Sequence, residues 1–527
     1  MGQGDALTAG TDRQRRALLA SMAALAAGCD RTAPVTGGFA GASHERGHLL
    51  RQATPGAGAA TPAGRTQVLI LGAGIAGLAA ARALRQRGIE DFVLLDLEDQ
   101  AGGNSRATQL QGIACPLAAH YLPVPGDAAR EVQELLEELG LRRRVAGRWT
   151  YDERHLCHSP PERLYFNGRW QDGLLPTEGV GPQTLAQYRA FAQEVDAASR
   201  AAPFALPRAG RTPAPSHLAL DAQTFAAWLA ARGLSDPQLL WYLDYCCRDD
   251  YGVGPAQVSA WAGLHYFAAR HGFQPPGTGA VEREAVLTWP EGNAWLAGAL
   301  ARPLGDRVRG GQVVLRVAEQ RHGVEVDAFD SARRQRVRWQ ADRCIVALPA
   351  FVAARVVENP PDALRQRAAR TRYAPWLVAN LHLRAPLHTP RGGSPLAWDN
   401  VIYGSAGLGY VVATHQSLNP MPGPTVLTWY LAPGEAQRAQ LLAQPWSAWR
   451  DRILGELAGP HPELPKLVTQ IEVARYGHAM AIPVPGTLAL GPLPAGGSRL
   501  AFAHADWAGY SIFEEAFTLG HRAGLRA

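Results

Sequence analysis

The sequence predicts an α/β protein in which a parallel-sheet domain is interrupted by two insertions that build a second, discontinuous α+β domain. Three observations predict it. An apolar run, Val68 to Leu71, leads into glycines at 72, 74 and 77 and an alanine-rich helical stretch, Ile75 to Arg87, which stops at Gly88. A second apolar run, Phe92 to Leu95, ends on an acid, Asp96. Further on, helical and strand-like patterns segregate: residues 184–269 are mostly helical, whereas 313–341 and 373–431 carry strands.

The opening stretch is a Rossmann-type βαβ unit with a glycine wherever the geometry wants one. Gly72 allows the tight turn, Gly74 lets the backbone approach a pyrophosphate, and Gly77 lets helix and strand pack closely. The unpaired N–H groups and partial positive charge of the helix N-terminus favour an anion there. Asp96 stands where a carboxylate accepts hydrogen bonds from an adenosine ribose, and it disfavours a 2′-phosphate. A second glycine pair follows in Gly102-Gly103-Asn104-Ser105-Arg106, allowing another close backbone approach to the cofactor.

Composition narrows the class. With 527 residues, 47% hydrophobic and 19% charged, the chain has ample material for a large core. A net charge of +6 without a basic block argues against a nucleic-acid partner. Lysine stands only at Lys466, which removes Schiff-base chemistry almost everywhere. The six cysteines show no zinc or CxxC spacing, so neither a metal site nor a disulfide framework is indicated.

The N-terminus reads as an address. Arg13, Arg15 and Arg16 precede an apolar segment, Ala17 to Ala27, too short to span a bilayer. It resembles a twin-arginine export signal over residues 1–29, with Arg15 and Arg16 as the pair. Leu25 to Cys29 resembles a lipoprotein cleavage box. The implied location is periplasmic, with membrane attachment only through a lipid on Cys29. Residues 30–64, rich in Ala, Gly, Thr and Pro, read as a flexible tether.

The stretch from Thr66 to Arg106 resembles the FAD-binding signature of the flavin-containing amine oxidase superfamily, with Asn104 in place of that family's arginine and Arg106 as a possible substitute. The resemblance implies an FAD enzyme with a Rossmann-type cofactor domain (residues 65–150, 280–358 and 484–527) and a substrate domain (151–279 and 359–483). It resumes at Pro290-Glu291-Gly292-Asn293, where Asn293 replaces a glycine, and at Cys344 to Pro349, which returns the chain to the cofactor domain. It implies that Ala119 and His120 lie beside the flavin ring, in a region where glycine is common, and that Val317 meets the adenine through its backbone. Asp506 matches an acid at the ribityl chain. The helix opened by Phe513 and Glu514 points its N–H groups at the flavin pyrimidine.

The same resemblance implies small-molecule oxidation by hydride transfer to flavin N5, with O2, a quinone or a redox partner as the final acceptor. The family's lysine near N5 has no counterpart among Trp376, Val378 and Asn380. Of the aromatic pair that flanks an amine, Tyr510 alone is present, since Ala479 takes the other position. His478 stands near where some relatives attach flavin covalently; it is a catalytic base, a covalent link or a structural residue. An amine is the leading substrate. Oxidation of a C–C bond and a flavin-binding lipoprotein without turnover are the alternatives. A NAD-only dehydrogenase leaves the second glycine pair and the C-terminal motif unexplained.

Overall fold

Residues 34–52, 59–270, 272–277, 285–388, 393–419, 421–491 and 498–527 are described by a computed structural model. The export signal, Cys29 included, lies outside the described residues. Six strands are named here: β1 (Thr36–Ala40), β2 (Thr61–Leu71), β3 (Phe92–Leu95), β4 (Arg372–Leu383), β5 (Thr425–Leu431) and β6 (Val468–Ile482). Three helices matter most: α1 (His44–His48), α2 (Ile75–Gln86) and α3 (Phe513–Arg526).

Val68 to Leu71 are wholly buried, as a strand covered on both faces requires. β2 pairs in parallel with β3 on one side and with Gln335–Val346 on the other. The latter strand is continuous, where the sequence pattern suggested two. Its first half pairs with the antiparallel meander 312–330, and its last three residues also pair in parallel with Leu500–Phe502. The α2 helix packs on this sheet, and α3 crosses it so closely that a Cβ on Gly520 would sit 1.9 Å from the Ala76 carbonyl and one on Gly524 2.4 Å from that of Ala80. These contacts ascend together, 520 with 76 and 524 with 80, so the two helices run parallel. Both positive ends face the same side of the sheet.

The second sheet has eight strands, in the order β1, β6, β4, β5, 410–412, 399–402, 162–166, 169–172. The hairpin at Asn167-Gly168 turns through two positive φ values, as that pair predicts. Along β4 the side chains alternate. Ala374, Trp376 and Val378 join a core with the helices of residues 182–268, while Leu377, Ala379 and Leu381 pack under the helix Trp446–Ala458. Among the described residues no helix is long and apolar enough to cross a membrane.

The tether reading of residues 30–64 is corrected for the described residues, 34–52 and 59–64. β1 is an edge strand of the second sheet, α1 follows it, and β2 begins at Thr61, earlier than the apolar run. The signal was absent because β1 is TGGFA, with two glycines and no buried face, and residues 61–65 are exposed on both faces. Neither shows the alternation that marks a half-buried strand.

Candidate active site

The cradle is built by the first turn after β2. Gly72 sits at φ +96°, and a Cβ on Gly77 would lie 1.8 Å from the Gly72 carbonyl, so both positions exclude side chains. Gly74 caps α2 without any side-chain hydrogen bond, leaving the helix N-terminus for a ligand. Its missing side chain faces Gly103, whose Cα a Cβ would approach to 3.8 Å; the two glycine turns thus face each other across a crevice that side chains would fill. Gly102, at φ +128°, ties the turns together by donating its N–H to the Ala73 carbonyl at 2.8 Å.

Asp96 is nearly enclosed. One carboxylate oxygen accepts the Ala73 N–H at 2.6 Å and the other the Glu98 N–H at 2.8 Å. Burial raises its pKa, and these two donors oppose the shift. Ser105 and Arg106 are buried beneath the second turn. Arg106 donates to the Gly103 carbonyl and pairs with Glu98 at 3.3 Å, so its charge holds the turn instead of standing in for the missing arginine. Asn104 points the other way, its amide donating to the Ala479 carbonyl at 2.8 Å.

The backbone of residues 116–119 is clamped at four consecutive carbonyls. Asn380 donates to Pro116 at 2.9 Å, Tyr476 to Leu117 at 3.1 Å, Tyr430 to Ala118 at 3.2 Å, and the Asn293 N–H to Ala119 at 3.0 Å. The Ala119 N–H in turn reaches the Asn104 carbonyl. Asn293 serves where glycine is usual because its φ is an ordinary −64° and its side chain staples the Tyr121 carbonyl. Gly292 is the position that needs glycine: at φ +61°, its Cβ would meet the Ala119 carbonyl at 2.6 Å. His120 stacks on Tyr430 with ring centroids 4.4 Å apart, and Tyr121 and Trp398 complete an aromatic wall. Burial pushes the His120 pKa down to about 4. Tyr430 and Trp398 carried no sequence signal for this role; isolated aromatics in apolar strands read as core.

Four predicted site residues already have partners within the protein. Asp506 is wholly buried, accepting the Ala350 N–H at 2.8 Å and the Tyr373 hydroxyl, with His504 3.1 Å from its other oxygen. Burial alone would raise its carboxyl, but His504, Tyr373 and Ala350 together hold it below the usual range. Its other oxygen is buried and accepts no hydrogen bond, which leaves one acceptor for a ligand. Tyr510, 1% exposed, donates to Glu515 at 2.6 Å and packs on Trp261 and His265; it does not flank an open site. Val317 pairs with Val357, and its carbonyl accepts the Glu358 N–H at 2.8 Å, which commits it to the protein. His478 is exposed at one edge, its ring 4.9 Å from Phe351. Partial desolvation, with Arg438 and Arg51 nearby, pushes its pKa down to about 4, well below the range of a base at neutral pH.

Phe513 and Glu514 are buried at the start of α3, which Ile512 caps without a side-chain hydrogen bond. Burial pushes Glu514 up to about 7. α2 thus presents an uncapped helix end at two facing glycine turns, with α3 running parallel to it. That arrangement fits an extended dinucleotide with an anionic centre.

Sheet, cradle and parallel helices define a dinucleotide-binding α/β protein with a second sheet. The model of the flavin containing amine oxidoreductase family matches residues 75–524, and the chain belongs to that family, with FAD as its cofactor. Solved structures agree in fold. Putrescine oxidase bound to putrescine aligns with TM-score 0.66 at 17% identity, covering 88% of this chain and 98% of that one. Cyclohexylamine oxidase from Brevibacterium oxydans IH-35A aligns with TM-score 0.64 at 19% identity over the same shares. Protein anon-37Cs of Drosophila melanogaster is 33% identical over 88 residues, a stretch spanning 16% of this chain and 18% of the fly protein.

Proposed function

We propose that the protein oxidises a small amine, with FAD as hydride acceptor, outside the cytoplasm. The observation that carries the amine reading is the aromatic wall of His120, Tyr430, Trp398 and Tyr121 beside the cradle. With His120 held neutral, that wall is uncharged, which favours the deprotonated amine that hydride loss requires. Bound FAD supplies the electron sink at its N5. The chain supplies orientation. Asn380, Tyr430 and Tyr476 hold residues 116–118 rigid, and the α3 N-terminus favours negative charge close by. With its depressed pKa and exposed position, His478 would be a weak base at neutral pH, so no side-chain base is assigned to the amine.

The acceptor that returns the enzyme to its oxidised form is O2, a quinone or a redox protein. A second reading, oxidation of a C–C bond, draws support from the lysine-free face Trp376, Val378 and Asn380 of β4. Export rests on the resemblance of residues 1–29 to a twin-arginine lipoprotein signal, with Cys29 as the anchor. Replacing Arg15 and Arg16 by lysine should leave the protein in the cytoplasm, and Cys29→Ala should release it from membranes, as cell fractionation would read.

Anaerobic mixing with a panel of primary and secondary amines, followed by flavin absorbance, tests the substrate class. Bleaching by at least one amine is expected. A flavin that dithionite reduces but no amine does would overturn the amine reading.

A further inference from the structure

Residues 36–51 precede the cofactor sheet in sequence, yet they are bound to both sheets. β1 adds to β6 in parallel, Thr36 opposite Gln470 through to Ala40 opposite Ala474. Gly37 is required there, since a Cβ would lie 1.8 Å from the Ile471 carbonyl. Gly41, at φ +87°, turns the chain beside Ala474 and Tyr476. The Ser43 N–H then donates to Glu98 at 2.9 Å while the Ser43 hydroxyl caps α1. Arg46 donates to the Leu97 carbonyl at 3.1 Å and pairs with Asp99 at 2.9 Å. Four residues on, the Leu50 carbonyl accepts from Arg355 at 2.7 Å, and the Leu50 side chain packs on the core of the cofactor sheet.

The two sets of anchors lie on either side of the cradle. Leu97 to Asp99 follow the C-terminal end of β3; Arg355 lies in the helix that follows the strand Gln335–Val346. Between these strands runs β2, whose C-terminal end is the glycine turn. A segment fastened on both sides therefore passes above that turn, in the crevice where doubly wound sheets hold their ligands.

We propose that residues 36–51 are a clasp that closes over the adenosine and pyrophosphate half of FAD and sets how fast the cofactor leaves. The proposal rests on the cradle being the FAD site. It assigns part of the cofactor site to a segment outside the glycine turns and the acid. Because the clasp is held by a few surface hydrogen bonds and one edge strand, it can open without unfolding either sheet. FAD would enter when it is open and be retained without a covalent link once it shuts.

Two variants loosen the clasp at different points: Arg46→Ala frees α1 from Leu97 and Asp99, and Gly37→Val undocks β1 from Ile471. The holoprotein is diluted, and free FAD is followed by its fluorescence as it escapes. Release is expected to quicken about tenfold in each variant, the scale of losing a charge-assisted hydrogen bond, with an intermediate rate in Arg46→Lys. Circular dichroism and the melting temperature of the apoproteins are expected to match the parent. Hydrogen exchange at residues 43–51 is expected to slow when FAD is bound. Unchanged release in both loosened variants would overturn the clasp, as would faster release accompanied by an equal loss of apoprotein stability. A parent protein that binds no FAD would instead overturn the cradle, so the two failures are distinguishable.

Discussion

Two segments of the chain differ in what holds them. In the cradle, residues 72–106, Gly72, Gly77 and Gly102 are demanded by backbone geometry within a few residues or across one turn. In the C-terminal segment, residues 478–515, availability depends on distant partners. Asp506 is taken by Tyr373 and Ala350, and Tyr510 by Glu515, which itself accepts the N–H groups of Arg208 and Ala209. A glycine turn announces its own shape. A polar side chain does not announce who will claim its hydrogen bonds.

The sharpest break of this comparison is Gly74→Val. Nothing but Gly103 at 3.8 Å opposes the new Cβ, so the chain folds while the branched side chain fills the crevice. FAD binding should weaken by about 3 kcal/mol, the upper scale of overpacking, giving a colourless protein with a parent-like circular dichroism spectrum. Gly77→Val, by contrast, is expected to misfold. Asp96→Ala should weaken FAD by roughly 1.5–3 kcal/mol, read by titrating the apoprotein with the cofactor; equal affinity would mean the acid serves only its Ala73 and Glu98 contacts.

Acid should weaken the second sheet and the helices packed on it. Burial lowers His120 to about 4, and His265 and His461 to about 3. Between their unfolded pKa, about 6.5, and these values, the unfolded chain binds protons that the folded one refuses. The stability these histidines contribute is therefore full above that range and is lost as the pH drops toward 4, while the raised carboxyls Asp249 and Glu514 act in the opposite direction. Melting curves from pH 7 to 4.5 measure the fall, and His461→Gln should reduce it. A His461→Gln variant whose melting temperature follows the parent's pH dependence throughout this window would refute the assignment.

A smaller effect is expected from Asn380→Leu. It strands the Pro116 carbonyl and the Thr428 hydroxyl, which donates to Asn380 at 2.7 Å. Urea unfolding should show a loss of about 1–3 kcal/mol, with FAD retained. The smallest change belongs to His478→Asn. Flavin reduction per bound flavin should shift less than about threefold, against the 10²-fold or more that losing a general base costs. A hundredfold loss at normal occupancy would return His478 to the chemistry.

Much of the fold was legible because it depends on periodicity. The helices of residues 182–268, the strands of the meander and α3 all follow their apolar patterns to within a few residues. Where the pattern failed, exposure explains it: β1 and the first half of β2 bury too little to alternate. The aromatic wall was illegible for another reason. Tyr430 lies on a strand buried on both faces, where every residue reads as core, and nothing in its neighbours marks that its ring meets His120.

By itself the sequence determined the cradle: the order strand, glycine turn, helix, strand and acid is local, and steric exclusion at φ beyond +90° admits glycine alone. It also determined the class of cofactor, because an uncapped helix end behind such a turn suits a pyrophosphate. Only the tertiary structure decided which polar groups remained for chemistry. Arg106 went to Glu98, one oxygen of Asp506 to Tyr373 and Ala350, and Tyr510 to Glu515, while β1, a strand without an alternating pattern, docked on β6. The reason is physical: a buried polar group must be paired, and its partner is chosen by packing between segments far apart in sequence.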